Sequence, residues 1–213
     1  MRKMISIVGR SGAGKTRLIE TLIPIFLKKG LRVATIKHCP QGFEIDIKGK
    51  DSERHLRAGS GAVLLAGPEE LSLIKASAPP SPRDLLRYLS DFDFVLIEGY
   101  RSAPLPKVEV YRRDLGDLLS DPRELVAIVS DERVELGPPC FLWEEAEKLA
   151  DLILERTLER EERRAEVYVD GKHIPLNPFV SEIIARALEG MISTLKGVGE
   201  EARIFEVIIR RGG

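Results

Sequence analysis

The chain has 213 residues, 43% of them hydrophobic and 31% charged, with a formal net charge of −1. That is enough apolar material for a full core plus a small second module, and the near balance of charge excludes the overall basic field of a nucleic-acid-binding protein. Two cysteines, Cys39 and Cys140, exclude a disulfide framework and suit a reducing cytosol. No apolar run approaches the roughly 18 residues of a spanning helix, so a soluble cytoplasmic protein without membrane segment or signal peptide is expected.

Met4-Ile5-Ser6-Ile7-Val8 is a compact apolar run suited to a buried parallel strand. Gly9-Arg10-Ser11-Gly12-Ala13-Gly14-Lys15-Thr16 follows it and matches a phosphate-binding loop: a glycine, four residues, then Gly-Lys-Thr. After the loop, Leu18, Ile19, Leu22 and Ile23 recur at helical spacing. Glycines let backbone N–H groups wrap a phosphate, and the new helix points its positive end at the same anion. Lys15 is placed to reach the terminal phosphates and Thr16 to hold a magnesium ion.

The helix is expected to end near Lys28-Lys29-Gly30, and Leu31–Ile36 reads as a second strand, giving a βαβ crossover. Residues 37–50 form a polar loop at the carboxyl edge of the sheet, where ligands bind in such folds. It carries His38, Asp46, Lys50 and Asp51, and an acid here is placed to coordinate magnesium or sense a γ-phosphate. A short helix from Asp51 to Ala58, a pair of strands at Ala62–Ala66 and Leu71–Ile74, and a short helix from Arg83 to Leu89 come next. Phe92–Gly99 then reads as a buried strand delivering Glu98 to the same edge, which matches a Walker B element.

Pro106–Tyr111 and Leu125–Val129 supply further strands, the second followed by Ser130-Asp131. Trp143 to about Arg164 has a helical pattern that ends in an almost wholly charged run. The boundary is placed there: a nucleotide-binding domain over 1–155, a charged linker over 156–165 and a small module over 166–213. In that module Asp170-Gly171 marks a hairpin turn, Asn177 caps a helix and Ile204–Ile209 is expected as a closing strand, giving a β-β-α-β order. The fold class is therefore α/β: a P-loop NTPase with a mostly parallel, mixed sheet flanked by helices, plus a small C-terminal α+β module.

The strings GRSGAGKT, IKHCPQGFEIDIKGKDSERHLRAGS, DFVLIEGYR and PKVEVYR together resemble the molybdopterin-guanine dinucleotide biosynthesis protein B (MobB) family over roughly residues 3–155. The middle string, with Lys37-His38, Asp46 and Gly49-Lys50-Asp51-Ser52, carries most of the specificity, because phosphate loops are widespread. The resemblance implies a GTP-binding adapter, often dimeric and at most a slow GTPase. Such an adapter works beside the guanylyltransferase that joins GMP to molybdopterin. It further implies phosphate contacts from Ser11, Gly12, Ala13, Gly14, Lys15, Thr16 and Arg17. Mg2+ would be held by Thr16, Asp46 and Glu98, with Asp46 and Glu98 as the catalytic acids. Cofactor contacts from His38, and from Ser130 and Asp131 near the base, complete the set. No Asn-Lys-x-Asp string is present, so the choice of guanine rests on the resemblance. Where many relatives carry further histidines, this chain has Cys39-Pro40-Gln41-Gly42.

Two other readings compete. A small-molecule kinase would use the same loop for ATP and Asp46 as base toward an acceptor hydroxyl, with Arg112, Arg113 and Arg123 as lid residues. A nickel metallochaperone would need a histidine-rich or Cys/His metal site, and the chain has three histidines in all.

Overall fold

The structure is a computed structural model in which residues 3–43, 51–75, 80–157, 165–199, 202 and 204–209 are described. The chain forms two compact units, one of residues 1–38 with 82–213 and the other of residues 39–81.

The larger unit begins with β1 (Lys3–Val8), α1 (Lys15–Lys28) and β2 (Val33–Lys37). It resumes with α3 (Pro82–Leu85), continued by a 3-10 turn over Leu86–Leu89, and β5 (Phe94–Glu98). Next come β6 (Lys107–Tyr111), β7 (Leu125–Ser130), β8 (Cys140–Leu142) and α4 (Ala146–Thr157). It closes with β9 (Val167–Val169), β10 (Lys172–Ile174) and α5 (Pro178–Ile192). The smaller unit holds α2 (Asp51–Arg57) and the antiparallel hairpin of β3 (Ala62–Ala66) and β4 (Leu71–Lys75).

Six strands form one sheet in the order β2-β5-β1-β6-β7-β8, and every pairing in it is parallel. The expected α/β fold is present. The antiparallel pairings expected beside the parallel ones lie in two separate two-stranded sheets, β3-β4 and β9-β10. Parallel strands buried on both faces need apolar residues at every position, which explains the unbroken runs in β1, β5 and β7. Alternation divides them: Ile5, Ile7, Phe94 and Leu96 face α1 and α4, where Leu18, Leu22, Phe26, Leu149 and Ile153 are buried. Met4, Val95 and Ile97 face the opposite side with Leu86 and Leu105. Each such side chain removed from water contributes about 1.5–3 kcal/mol, so this two-sided core fixes the sheet whose edge carries the site.

β6 is buried yet carries two charges. Glu109 is 2% exposed and accepts from the backbone N–H groups of Leu119 (2.6 Å) and Ser120 (3.0 Å). Lys107, 3% exposed, donates to Glu124 at 2.9 Å. These two residues hold the connection from β6 to β7.

Several local expectations differ in detail. The helix expected from Trp143 begins as a 3-10 turn over Trp143–Glu145 and becomes α-helical at Ala146, with residues 158–164 outside the described set. The Asp170-Gly171 turn has the expected positive φ values of 48° and 79°. The hairpin it joins packs on α3, with the His173 N–H donating to Asp84 at 2.8 Å and the Tyr168 hydroxyl donating to the Arg83 carbonyl at 3.4 Å. The closing strand expected at Ile204–Ile209 is corrected: these residues form no ladder, and Ile208 and Ile209 are 80% and 84% exposed. An apolar β-branched run becomes a strand only where a sheet edge accepts it, and β9-β10 stays two-stranded.

Candidate functional site

The carboxyl ends of β1, β5, β6 and β7 converge, and the loop from Gly9 to Gly14 crosses that edge before α1 starts at Lys15. The loop is tight by necessity. A β-carbon at Gly9 would lie 2.5 Å from the Val110 carbonyl oxygen of β6, and Gly14 caps α1 in the left-handed conformation at φ 105°. A β-carbon at Gly14 would also lie 2.9 Å from the Trp143 ring. The Lys15 ammonium folds over the loop and donates to the carbonyls of Gly9 (3.0 Å) and Arg10 (2.9 Å). A cation lying over the loop at the start of a helix, whose first-turn N–H groups lack intrahelical partners, suits an anion.

Across the edge, the Thr16 hydroxyl donates to Glu98 Oε2 at 3.1 Å, and the Lys37 ammonium lies 3.9 Å from Glu98 Oε1. The backbone beyond Glu98 is sharply turned. Gly99 has φ 99° and its N–H bonds to the Ile7 carbonyl at 3.0 Å, the buried Ser6 hydroxyl donates to the Gly99 carbonyl, and Tyr100 adopts φ 52°. A non-glycine residue at positive φ is a place where the fold stores strain. His38 donates its N–H to the Glu98 carbonyl at 2.9 Å and stacks its ring on Tyr100, with centroids 4.1 Å apart. Burial pushes the Tyr100 phenol up, with Asp84 adding to it.

The other end of the site lies past β6 and β7. Arg112, Arg113, Asp114, Ser130, Asp131 and Glu132 line a cleft of about 420 Å3. Each arginine there has its own acid: Arg112 bonds Asp114 at 3.1 Å and approaches Asp131 at 3.7 Å, and Arg113 pairs with Glu132 at 2.8 Å. Arg123 is bound to Asp121 at 2.6 Å. Three arginines each committed to a local carboxylate make a poor kinase lid.

The structure therefore brings together Ser11, Gly12, Ala13, Gly14, Lys15, Thr16 and Glu98 on one edge, with His38 behind Glu98 and Ser130 and Asp131 at the cleft. Arg17 points elsewhere than the loop's carbonyls, its guanidinium lying 4.3 Å from the centre of the Trp143 ring. Asp46 lies outside the described residues. Trp143 is the residue the sequence reading passed over as a helix start. It is the only tryptophan, directly after the edge strand β8, but its contacts with Gly14 and Arg17 form only in the folded chain.

The residues fit a magnesium-bound nucleoside phosphate: glycines where a side chain would clash, a lysine above the loop, and a hydroxyl and a carboxylate in contact. Among the described residues no group of three His, Cys, Asp or Glu side chains could hold a metal.

Sheet order, loop and edge acid define a P-loop nucleotide-binding fold. The family model for molybdopterin guanine dinucleotide synthesis protein B matches residues 4–131, more than half of the chain. The chain belongs to the MobB family. It is 33% identical over 154 residues to a molybdopterin-guanine dinucleotide biosynthesis adapter protein of Haemophilus influenzae, covering 70% of this chain and 86% of that protein. A putative adapter protein of the same name from Methanocaldococcus jannaschii is 30% identical over 224 residues, covering 92% of this chain and 93% of the relative. A share that large takes in much of the module beyond the charged run. Bacillus subtilis MobB has a similar solved structure, with a TM-score of 0.60 and 27% identity over 74% of this chain and 99% of that one.

Proposed function

We propose that the chain is a GTP-binding adapter of molybdenum cofactor biosynthesis, assisting guanylyl transfer to molybdopterin to form molybdopterin guanine dinucleotide. The observation that carries this reading is the Thr16–Glu98 contact beside the Lys15-bearing loop, in a chain whose relatives carry the adapter name. In this reading Ser11 to Arg17 surround the phosphates, Thr16, Glu98 and Asp46 hold Mg2+, and Ser130 and Asp131 face the base. The bound ion neutralises phosphate charge. Hydrolysis is slow: Arg10, the arginine within the loop, donates to the Asp117 carbonyl at 3.3 Å, and Glu98 and Asp46 are the acids left to orient water.

The proposal extends to a homodimer and to a contact with the guanylyltransferase. Exposed apolar side chains support assembly: Phe179 and Met191 on α5 are 71% and 68% exposed, and Leu71 in the β3-β4 hairpin is 67% exposed. Both cysteines are thiols, which fits the cytoplasm. The domain division is likewise proposed, with residues 1–155 binding nucleotide and 166–213 as an accessory module.

The test is reconstitution. Molybdopterin guanine dinucleotide formation by a guanylyltransferase at limiting GTP is expected to rise when this protein is added and not when Lys15→Ala is added. Equal rates in all three reactions would overturn the adapter role.

A further inference from the structure

Trp143 touches three residues of the site and belongs to none of its motifs. Its indole Nε1–H donates to Asp131 Oδ1 at 2.9 Å. Its six-membered ring lies where a β-carbon on Gly14 would come within 2.9 Å, and its face carries the Arg17 guanidinium at 4.3 Å. One half-buried side chain thus spans from the phosphate loop to the cleft beyond β7. The opposite oxygen of the same carboxylate, Asp131 Oδ2, has Arg112 at 3.7 Å.

We propose that Trp143 is a positioning residue for base selection: its N–H fixes the Asp131 carboxylate at the base end while its ring closes on Gly14 at the phosphate end. This inference rests on the nucleotide-binding reading above and names how that site chooses its base. Asp131 is exposed, and an exposed carboxylate samples several rotamers at little cost unless a donor holds it. A carboxylate only accepts hydrogen bonds, so a fixed one selects a purine edge with two adjacent N–H donors, the guanine pattern. The adenine edge, which puts an acceptor beside its amino group, offers that carboxylate one donor in place of two and sets a lone pair against it. The chain lacks the Asn-Lys-x-Asp string, so a tryptophan supplied from after β8 takes over the orienting work.

Trp143→Phe keeps a ring against Gly14 and Arg17 and deletes only the N–H. Calorimetry with GTP and with ATP, each with Mg2+, is expected to give about tenfold weaker GTP binding and little change for ATP. The GTP/ATP selectivity then falls about tenfold, and Asp131→Asn added to Trp143→Phe lowers it no further, because the two residues act as one unit. In the wild type, emission of this sole tryptophan is expected to shift on saturation with GTP, a readout that does not depend on any variant folding. Wild-type selectivity retained in Trp143→Phe, an equal loss for both nucleotides, or no emission change at GTP saturation would each overturn the role of Trp143 while leaving the nucleotide site standing. Absence of any nucleotide binding to the wild type would overturn both.

Discussion

The Thr16 hydroxyl and the Glu98 carboxylate, 82 residues apart in sequence, meet at 3.1 Å on the carboxyl edge of the sheet. The contact follows from topology: β5 lies beside β1 in register, with Ile7 opposite Glu98, so the acid ending one strand faces the helix that follows the other. If the pair holds Mg2+, Thr16→Ala and Glu98→Gln should each weaken GTP binding about tenfold or more with Mg2+ present and much less in its absence. Titration of affinity against Mg2+ concentration checks this, and an unchanged Mg2+ dependence in both variants would contradict it.

Gly14→Ala places a β-carbon at φ 105° and 2.9 Å from the Trp143 ring. The left-handed backbone alone costs an alanine about 1–2 kcal/mol, and the ring must move as well. The expected outcome is a folded protein with GTP binding reduced beyond detection at micromolar nucleotide. Circular dichroism and calorimetry on one sample separate this from unfolding.

Glu109 is buried and accepts two backbone N–H bonds from the connection between β6 and β7. Glu109→Ala leaves those donors unpaired, for a cost of about 3 kcal/mol. Urea unfolding should show a lower midpoint, with the loss appearing before any direct effect on nucleotide.

The Glu145 carboxyl is held down from 4.5 to about 2, first by the Leu142 N–H, then by Arg133 and Lys148. A depressed pKa adds stability that is present above the unfolded value and is lost as pH falls toward the folded one. The wild type should therefore lose stability between about pH 5 and pH 2. Glu145→Gln should be less stable at neutral pH and lose less over that window, as thermal unfolding across pH would reveal.

Much of the site was legible because its chemistry is written in contiguous strings. A glycine-rich loop must follow a strand and precede a helix, so Gly9–Thr16 implied its own surroundings, and the apolar run before Glu98 could only be a buried strand. Trp143 was not legible, since its role comes from three elements that meet only in the folded sheet. The burial of Lys107 and Glu109 was not legible, because their partners Glu124, Leu119 and Ser120 depend on how the following loop folds back. The Ile204–Ile209 run misled because periodicity reports the fitness of a strand, and not the presence of an edge to receive it. β8, three residues long, is too short for any alternation to register.

The measurement that tests the central claim most directly is calorimetric binding of GTP and of ATP, each with Mg2+, to the wild type and to Lys15→Ala. The account predicts GTP binding that ATP does not match, and a loss of about 100-fold in the variant, equivalent to the ~3 kcal/mol of charge-assisted bonds from one ammonium. ATP bound more tightly than GTP would contradict it and put the kinase reading first.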